Sequence, residues 1–367
     1  MRFARGAEAA LPILIVGFLL AALISLVVTP FVRDYVRRRG IVDRPDARRV
    51  NRRTLPRGGG VAVVLAFTVV GGAIAWLVDI APDMAAARPP SQGEILGLFI
   101  GGLLAAAIGA IDDLFDLRAR WQLLGQLAVA GVAIAFGITI RFIDNPFAPD
   151  NLVFPALLAI AFTVLWIVGM INSINFIDGL DGLSSGIALI AAVTLGVLSL
   201  TDAVGQPLVA VLCFVLAGGL LGFLRWNFHP AVIFQGTAGV MFVGYVLAVL
   251  SILGTAKVVV AMLVLGVPII DSFWVIVRRV SNRRSPFSPD RGHIHHRLLD
   301  LGLSHRGTVL LIYAICTTLG VMSLLVSAAQ GLYTFLGALV AFGLVVFLLA
   351  RQANDALEPT TYDNGDS

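Results

Sequence analysis

Residues 11–39 read LPILIVGFLLAALISLVVTPFVRDYVRRR. From Leu11 to Val32 the run carries no charge, and about 20 such residues are what a helix needs to cross a bilayer. It then meets Arg33, Arg37, Arg38 and Arg39. A long apolar run stopped by arginines is the pattern of a membrane span that ends on the cytoplasmic side. Arg2 and Arg5 ahead of the run would also suit a signal peptide. The run is too long for one, however, and lacks a small-residue cleavage site, so it is expected to stay as a span.

The same pattern recurs along the chain. Segments of this kind fall at about 9–32, 60–80, 95–111, 122–140, 153–171, 184–200, 207–224, 238–254, 256–278, 308–329 and 331–350. The expected fold is therefore all-α, a polytopic membrane bundle of ten to eleven helices. The apolar runs are continuous rather than alternating, which excludes a membrane β-barrel. Of the 367 residues, 58% are hydrophobic and 13% charged, against roughly 45–50% and 25% in soluble domains. A water-soluble enzyme, a disordered chain and a secreted disulfide scaffold are excluded together. Cys213 and Cys316 lie in apolar runs and read as core residues.

Basic residues give the orientation. Arginines dominate, with Lys257 the single lysine among 26 basic residues. Ten arginines lie between Arg33 and Arg57 and seven between Arg278 and Arg306. If eleven spans alternate, Arg118, Arg120, Arg225 and Arg351 join them on one face. Only Arg2, Arg5, Arg88, Arg141 and Lys257 are left on the other. The positive-inside rule then puts the N-terminus outside and the C-terminus in the cytoplasm. The polar, acidic residues 351–367 read as a disordered cytoplasmic tail.

The polar motifs gather on that same face. The first is Asp112-Asp113-Leu-Phe-Asp116, three carboxylates at a low-dielectric boundary. They need a cation, a proton or arginine partners, or else form a solvated helix end. Oxygen ligands of this kind suit Mg²⁺. The second is Asn172-Ser-Ile-Asn175-Phe-Ile-Asp178-Gly-Leu-Asp181-Gly. Its polar residues repeat at i+3, and its glycines let backbone approach a ligand. The third runs from Trp226-Asn227-Phe228-His229 to Phe234-Gln-Gly236-Thr237-Ala-Gly239. The fourth is His293-Ile-His295-His296-Arg297, suited to gripping a pyrophosphate or sugar hydroxyls. It also has the look of a zinc cluster, but its arginine flanks would repel a cation. Arg57 stands before three glycines and could reach a phosphate, although the arginines around it also enforce topology and bind anionic lipid. Asp271 is a carboxylate inside an apolar span, a functional position by default. Together these features point to phosphoryl chemistry between one lipidic and one water-soluble substrate. A transporter is the alternative, opposed by the gathering of polar groups at one face and the lack of an internal repeat.

In order, DDLFDL, NSINFIDGLDGLSSG, WNFHPAVIF and HIHHRLLDLG resemble the polyprenyl-phosphate N-acetylhexosamine-1-phosphate transferase family over about residues 30–306. The HIHHRL form is most similar to the branch that transfers GlcNAc-1-phosphate. The resemblance implies one transmembrane catalytic domain over 1–350, with cytoplasmic loops at 33–59, 112–121, 172–183, 225–237 and 279–307. It implies UDP-N-acetylhexosamine and polyprenyl phosphate as substrates, UMP as product, and Mg²⁺ (or Mn²⁺) as cofactor. It places the protein in a bacterial inner membrane among lipids, with no nucleic acid, and leaves a homodimer open. Carried over by motif, Asp112 would orient or deprotonate the lipid phosphate, and Asp113 and Asp178 would hold the metal. Asn175 would position the pyrophosphate, while Asp181 and Phe234 would take uridine. His293, His295, His296 and Arg297 would contact sugar or diphosphate. Arg57, Asn172 and Asn227 are further binding candidates from their own local patterns rather than from the family. The chain departs from the family twice. Thr237 stands at a metal-ligand aspartate position, and Asn51 stands where the first loop usually carries histidine.

Overall fold

The computed structural model describes residues 7–43, 54–78, 89–143, 151–202, 204–253, 258–281, 283, 293–325, 333–334, 336–337 and 340–341. The expected tail at 351–367, Asn51, most of the eleventh expected span and much of the first arginine-rich loop lie outside these residues.

The helices are α1 (Ala7–Arg38), α2 (Val61–Val78), α3 (Gln92–Phe115), α4 (Ala119–Ala135), α5 (Ala156–Ile177) and α6 (Leu183–Ser199). They continue with α7 (Pro207–Asn227), α8 (Gly236–Leu253), α9 (Val258–Val264), α10 (Gly266–Ser281), α11 (Ile294–Asp300) and α12 (His305–Leu325). Two antiparallel pairs of two-residue strands complete the architecture: β1 (Val42–Asp43) with β2 (Leu55–Pro56), and β3 (Phe142–Ile143) with β4 (Leu152–Val153). Among the described residues, α1, α3, α5, α7, α8 and α12 are each long and apolar enough to cross a membrane. The first ten expected segments each coincide with a helix or, at 256–278, with two. That ninth segment is broken, α9 and α10 meeting at 81°. The cause is local: Gly266 weakens the helix, and Pro268 has no N–H to continue the ladder and tolerates only a first turn.

Burial sorts the helices. In α1, Leu11, Ile15, Leu19, Leu23, Val27 and Phe31 are exposed at a spacing of four, an outward apolar stripe suited to lipid. Its opposite face, with Leu14, Gly17, Ala21, Ser25 and Thr29, is buried and packs on α7. Gly218 and Gly222 make that contact. A Cβ on either would overlap a carbonyl of α1, that of Phe18 or Ala22. This is the small-residue spacing that lets membrane helices approach backbone to backbone. Residue for residue, α8 is almost wholly buried and lies against both α3 and α5.

The end of α3 positions the first acidic motif. The helix starts on a capping box of Ser91 and Glu94. Its buried face runs Leu98, Gly101, Ala105, Gly109 and then Asp112 and Asp113. Helical periodicity therefore turns both carboxylates inward, toward α8. Asp116 ends the helix in the left-handed region at φ 47°, and its side chain is exposed.

Candidate active site

Asp113 accepts the backbone N–H of Thr237 at 2.9 Å on Oδ1 and that of Ala238 at 3.1 Å on Oδ2. A carboxylate from α3 thus caps the first turn of α8, where free N–H groups and the helix dipole favour an anion. Arg57 does the reverse at the other helix end. Its Nη2 donates to the carbonyls of Asp112 (3.2 Å) and Asp113 (2.8 Å) and meets Asp116 Oδ1 at 2.7 Å. Its Nε lies 3.5 Å from Asp113 Oδ1. Arg57 is held there by a backbone stitch. Phe234 donates its N–H to the Pro56 carbonyl at 2.9 Å, and Gly59 donates to the Phe234 carbonyl at 2.9 Å. The half-buried Phe234 and Arg57 are neighbours for that reason.

Asp112 uses Oδ1 to accept from the Leu117 N–H (2.9 Å) and Gln122 Nε2 (2.8 Å), pinning α4 to the end of α3. Its second oxygen makes no hydrogen bond among the described residues. One turn on, Gln126 pairs with Asn172 at 2.7 Å. Gln122 and Gln126 escaped the sequence reading. Their signal was two amides four apart on an apolar helix, where unpaired polarity is costly.

The turn between α5 and α6 carries Asp178 and Asp181. Asp178 accepts a short hydrogen bond from the Ser184 hydroxyl, which also lies 2.9 Å from Gln235 Oε1. This links the turn to the residue just before α8. Burial pushes the Asp178 carboxyl up to about 7, against the Ser184 bond, and the charges of Asp113 and Asp181 push it the same way. Asn175 sits half-buried one turn earlier.

Asp181 is nearly fully buried. Its Oδ2 accepts from His229 Nδ1 at 2.7 Å and from the Ala231 N–H at 3.1 Å. Its backbone N–H donates to His305 Nε2 at 3.0 Å, and the rings of His229 and His305 stack 4.2 Å apart. His229 and His305 stand 76 residues apart in sequence, and only the fold brings them to one carboxylate. Asn227 is buried with both functional atoms engaged: Ser185 donates to its Oδ1 at 2.6 Å, and its Nδ2 donates to the Ile233 carbonyl at 3.0 Å. In this structure it shapes the α7–α8 connection.

The histidine motif is anchored by Asp271. That carboxylate accepts from His293 Nδ1 at 2.7 Å and from the Ile294 N–H at 2.8 Å. His295 packs between His293 and His296 and against Gly179, where a Cβ would come within 2.7 Å of its Nε2. Burial, then the neighbouring histidines, hold its pKa well below the ordinary value, so the ring is neutral. His296 is half-buried, and Arg297 lies in the last turn of the same short helix.

Asp113 and Asp178 fit a hard divalent cation. Asp178 keeps one oxygen without an intramolecular partner among the described residues. Each Asp113 oxygen keeps a second lone pair beyond its N–H bond. The raised Asp178 carboxyl follows first from burial, with the charges of Asp113 and Asp181 adding to it. Thr237 contributes its N–H to Asp113, and its half-buried side chain offers at most a neutral hydroxyl.

The glycosyl transferase family 4 profile matches residues 95–255, which hold the first three motifs. The chain is similar to the probable undecaprenyl-phosphate N-acetylglucosaminyl 1-phosphate transferase of Bacillus subtilis, 36% identical over 341 residues, 91% of this chain and 90% of that one. It is 34% identical to the decaprenyl-phosphate N-acetylglucosaminephosphotransferase of Mycobacterium tuberculosis, over 97% of this chain and 94% of that one. It is 31% identical to the undecaprenyl-phosphate alpha-N-acetylglucosaminyl 1-phosphate transferase of Thermotoga maritima, over 75% and 78%.

Proposed function

Because the chain belongs to glycosyl transferase family 4, we propose that it transfers GlcNAc-1-phosphate from UDP-GlcNAc to a polyprenyl phosphate. An oxygen of the lipid phosphate bonds to the phosphorus that bears the sugar. The bond from that phosphorus to the bridging oxygen breaks, and UMP leaves with the electron pair. The observation that carries this reading is the convergence of Asp112, Asp113, Arg57, Phe234 and the Asp178–Asp181 turn at one end of the bundle. The relatives above, named as polyprenyl-phosphate N-acetylglucosamine-1-phosphate transferases, supply the substrate class.

Each residue has a task. Asp112, with one oxygen uncommitted, orients the lipid phosphate or takes its remaining proton. Arg57 counters the charge of the approaching phosphates. Asn175 and Asn172 face the pyrophosphate from α5. Phe234 stacks on uracil and Asp181 binds the nucleoside, with Asn227 keeping their connection in shape. His293, His295, His296 and Arg297 close on the sugar and diphosphate, His295 as a neutral ring. Asp113 and Asp178 would hold Mg²⁺, with Mn²⁺ as substitute, which would supply charge neutralisation for phosphoryl transfer. Most of the catalysis is positioning.

The topology proposed with this function has eleven spans, the N-terminus outside, and the site at the cytoplasmic face of a bacterial inner membrane. One domain over 1–350 carries the chemistry. Thr237 favours a second reading, a relative that binds lipid phosphate or nucleotide without turnover. A panel of UDP-sugars offered with undecaprenyl phosphate and Mg²⁺ separates the two. Mass analysis should find lipid-diphosphate-GlcNAc and UMP together; nucleotide binding without either product supports the second reading.

A further inference from the structure

We propose that Asp181, His229 and His305 form a transition-metal site of the Zn²⁺ class, separate from the Asp113–Asp178 cation site. The three residues come from distant parts of the chain: the α5–α6 turn, the end of α7 and the start of α12. One ligand atom from each lies within 4.8 Å of the other two. Two imidazole nitrogens and one carboxylate oxygen are a borderline donor set, which suits Zn²⁺, Co²⁺ or Ni²⁺ and not Mg²⁺. Three protein ligands also leave a fourth position for water or a bound molecule.

A second observation points to a ligand. Asp181 Oδ1 is buried without a hydrogen-bond partner, although Oδ2 of the same carboxylate has two. A buried carboxylate oxygen left unpaired is costly, and a cation would satisfy it. The histidines are close to the required state. His305 Nε2 accepts the Asp181 N–H, so that nitrogen is unprotonated, and a metal bound there would take the place of that hydrogen bond. His229 donates from Nδ1 to the carboxylate, and coordination there needs only a shift of its proton to Nε2. Both rings are half-buried and reachable from solvent. Arg306 donates to the His229 carbonyl at 3.0 and 3.2 Å; its charge remains beside the site and opposes a cation there, as the buried Asp181 carboxylate favours one.

Occupation would tie three chain segments together and engage the Asp181 carboxylate. Resting on the reading of Asp181 as a nucleoside contact, the metal should compete with UDP-GlcNAc while leaving the Mg²⁺ site intact. The site would then act as an inhibitory switch.

The test uses the detergent-solubilised full chain with Co²⁺ as a visible probe and Zn²⁺ as competitor. The expected result is one Co²⁺ per chain with a tetrahedral-type absorption band, abolished by one equivalent of Zn²⁺. His305→Gln, whose amide oxygen can still accept the Asp181 N–H, should weaken Co²⁺ binding more than tenfold. His229→Gln gives an independent second removal, and Asp178→Asn should leave the band unchanged. No binding, or binding that survives both histidine changes, overturns the site. Loss of the band in His295→Gln but not in His305→Gln places the metal on the other histidine cluster and likewise overturns it. If metal binds as proposed but UDP affinity is unaffected, the site stands and the assignment of Asp181 to the nucleoside fails.

Discussion

Replacing Asp178 by asparagine should stabilise the metal-free protein above neutral pH while abolishing turnover. Burial, with Asp113 and Asp181 nearby, raises the carboxyl from an ordinary 3.8 to about 7. Below pH 3.8 the group is protonated in both folded and unfolded chains and costs nothing. Between 3.8 and about 7 the unfolded chain ionises first, so the wild type loses stability as pH rises; above 7 the penalty is constant. A rise of about 3 units at 1.36 kcal/mol each sets a ceiling of about 4 kcal/mol. The side chain keeps some solvent contact, which reduces the expected penalty to about 2 kcal/mol. Asparagine removes the charge and still accepts the Ser184 hydroxyl through its amide oxygen. Thermal unfolding in chelator-treated buffer should therefore put Asp178→Asn roughly 2–4 °C above wild type at pH 8, with the gap closing toward pH 5. Mg²⁺ should raise the wild-type midpoint and leave the variant unmoved. A variant less stable than wild type at pH 8, or a gap that does not change with pH, would refute the reasoning.

Four further changes probe other contacts. Asp113→Asn keeps one acceptor but turns an amide N–H toward a second backbone donor at the start of α8; losing a charge-assisted bond there should cost about 2–4 kcal/mol in denaturant unfolding. Gly222→Val would drive a side chain into the Ala22 carbonyl and should destabilise by about 3 kcal/mol or more. Gly72→Ala, with open space around it, should be neutral or slightly stabilising in the same assay. Thr237→Asp adds a carboxylate beside Asp113 and should lower the Mg²⁺ concentration needed for half-maximal UMP release several-fold. An unchanged requirement would remove residue 237 from the metal site.

Much of this architecture was legible because charge is scarce in the chain. Asp112 and Asp113 stand out as carboxylates at the end of an apolar run, and Asp271 could be flagged simply for lying in one. The partners of these groups were not legible. Nothing in sequence spacing tells that Asp113 would meet the N–H groups of α8, more than a hundred residues away, or that Asp271 would hold His293. Such pairings depend on which helices become neighbours, and glycines such as Gly218 and Gly222 decide that through close approach. The break at Leu265 was readable in principle from Gly266 and Pro268, but hydropathy averaged over a span hides it. Asn227 illustrates the opposite error of emphasis, since an amide inside a functional motif proves to be buried and fully bonded.

The central claim is phosphoryl transfer organised by the α3 carboxylates and the Asp178–Asp181 turn. Its most direct test is UMP release from UDP-GlcNAc by the purified protein in the presence of undecaprenyl phosphate and Mg²⁺. The account predicts release that requires lipid phosphate and divalent cation and is lost in Asp112→Asn and Asp178→Asn, although both variants remain folded. Release that persists in both variants, or its absence from folded wild-type protein across several UDP-sugars, would contradict it.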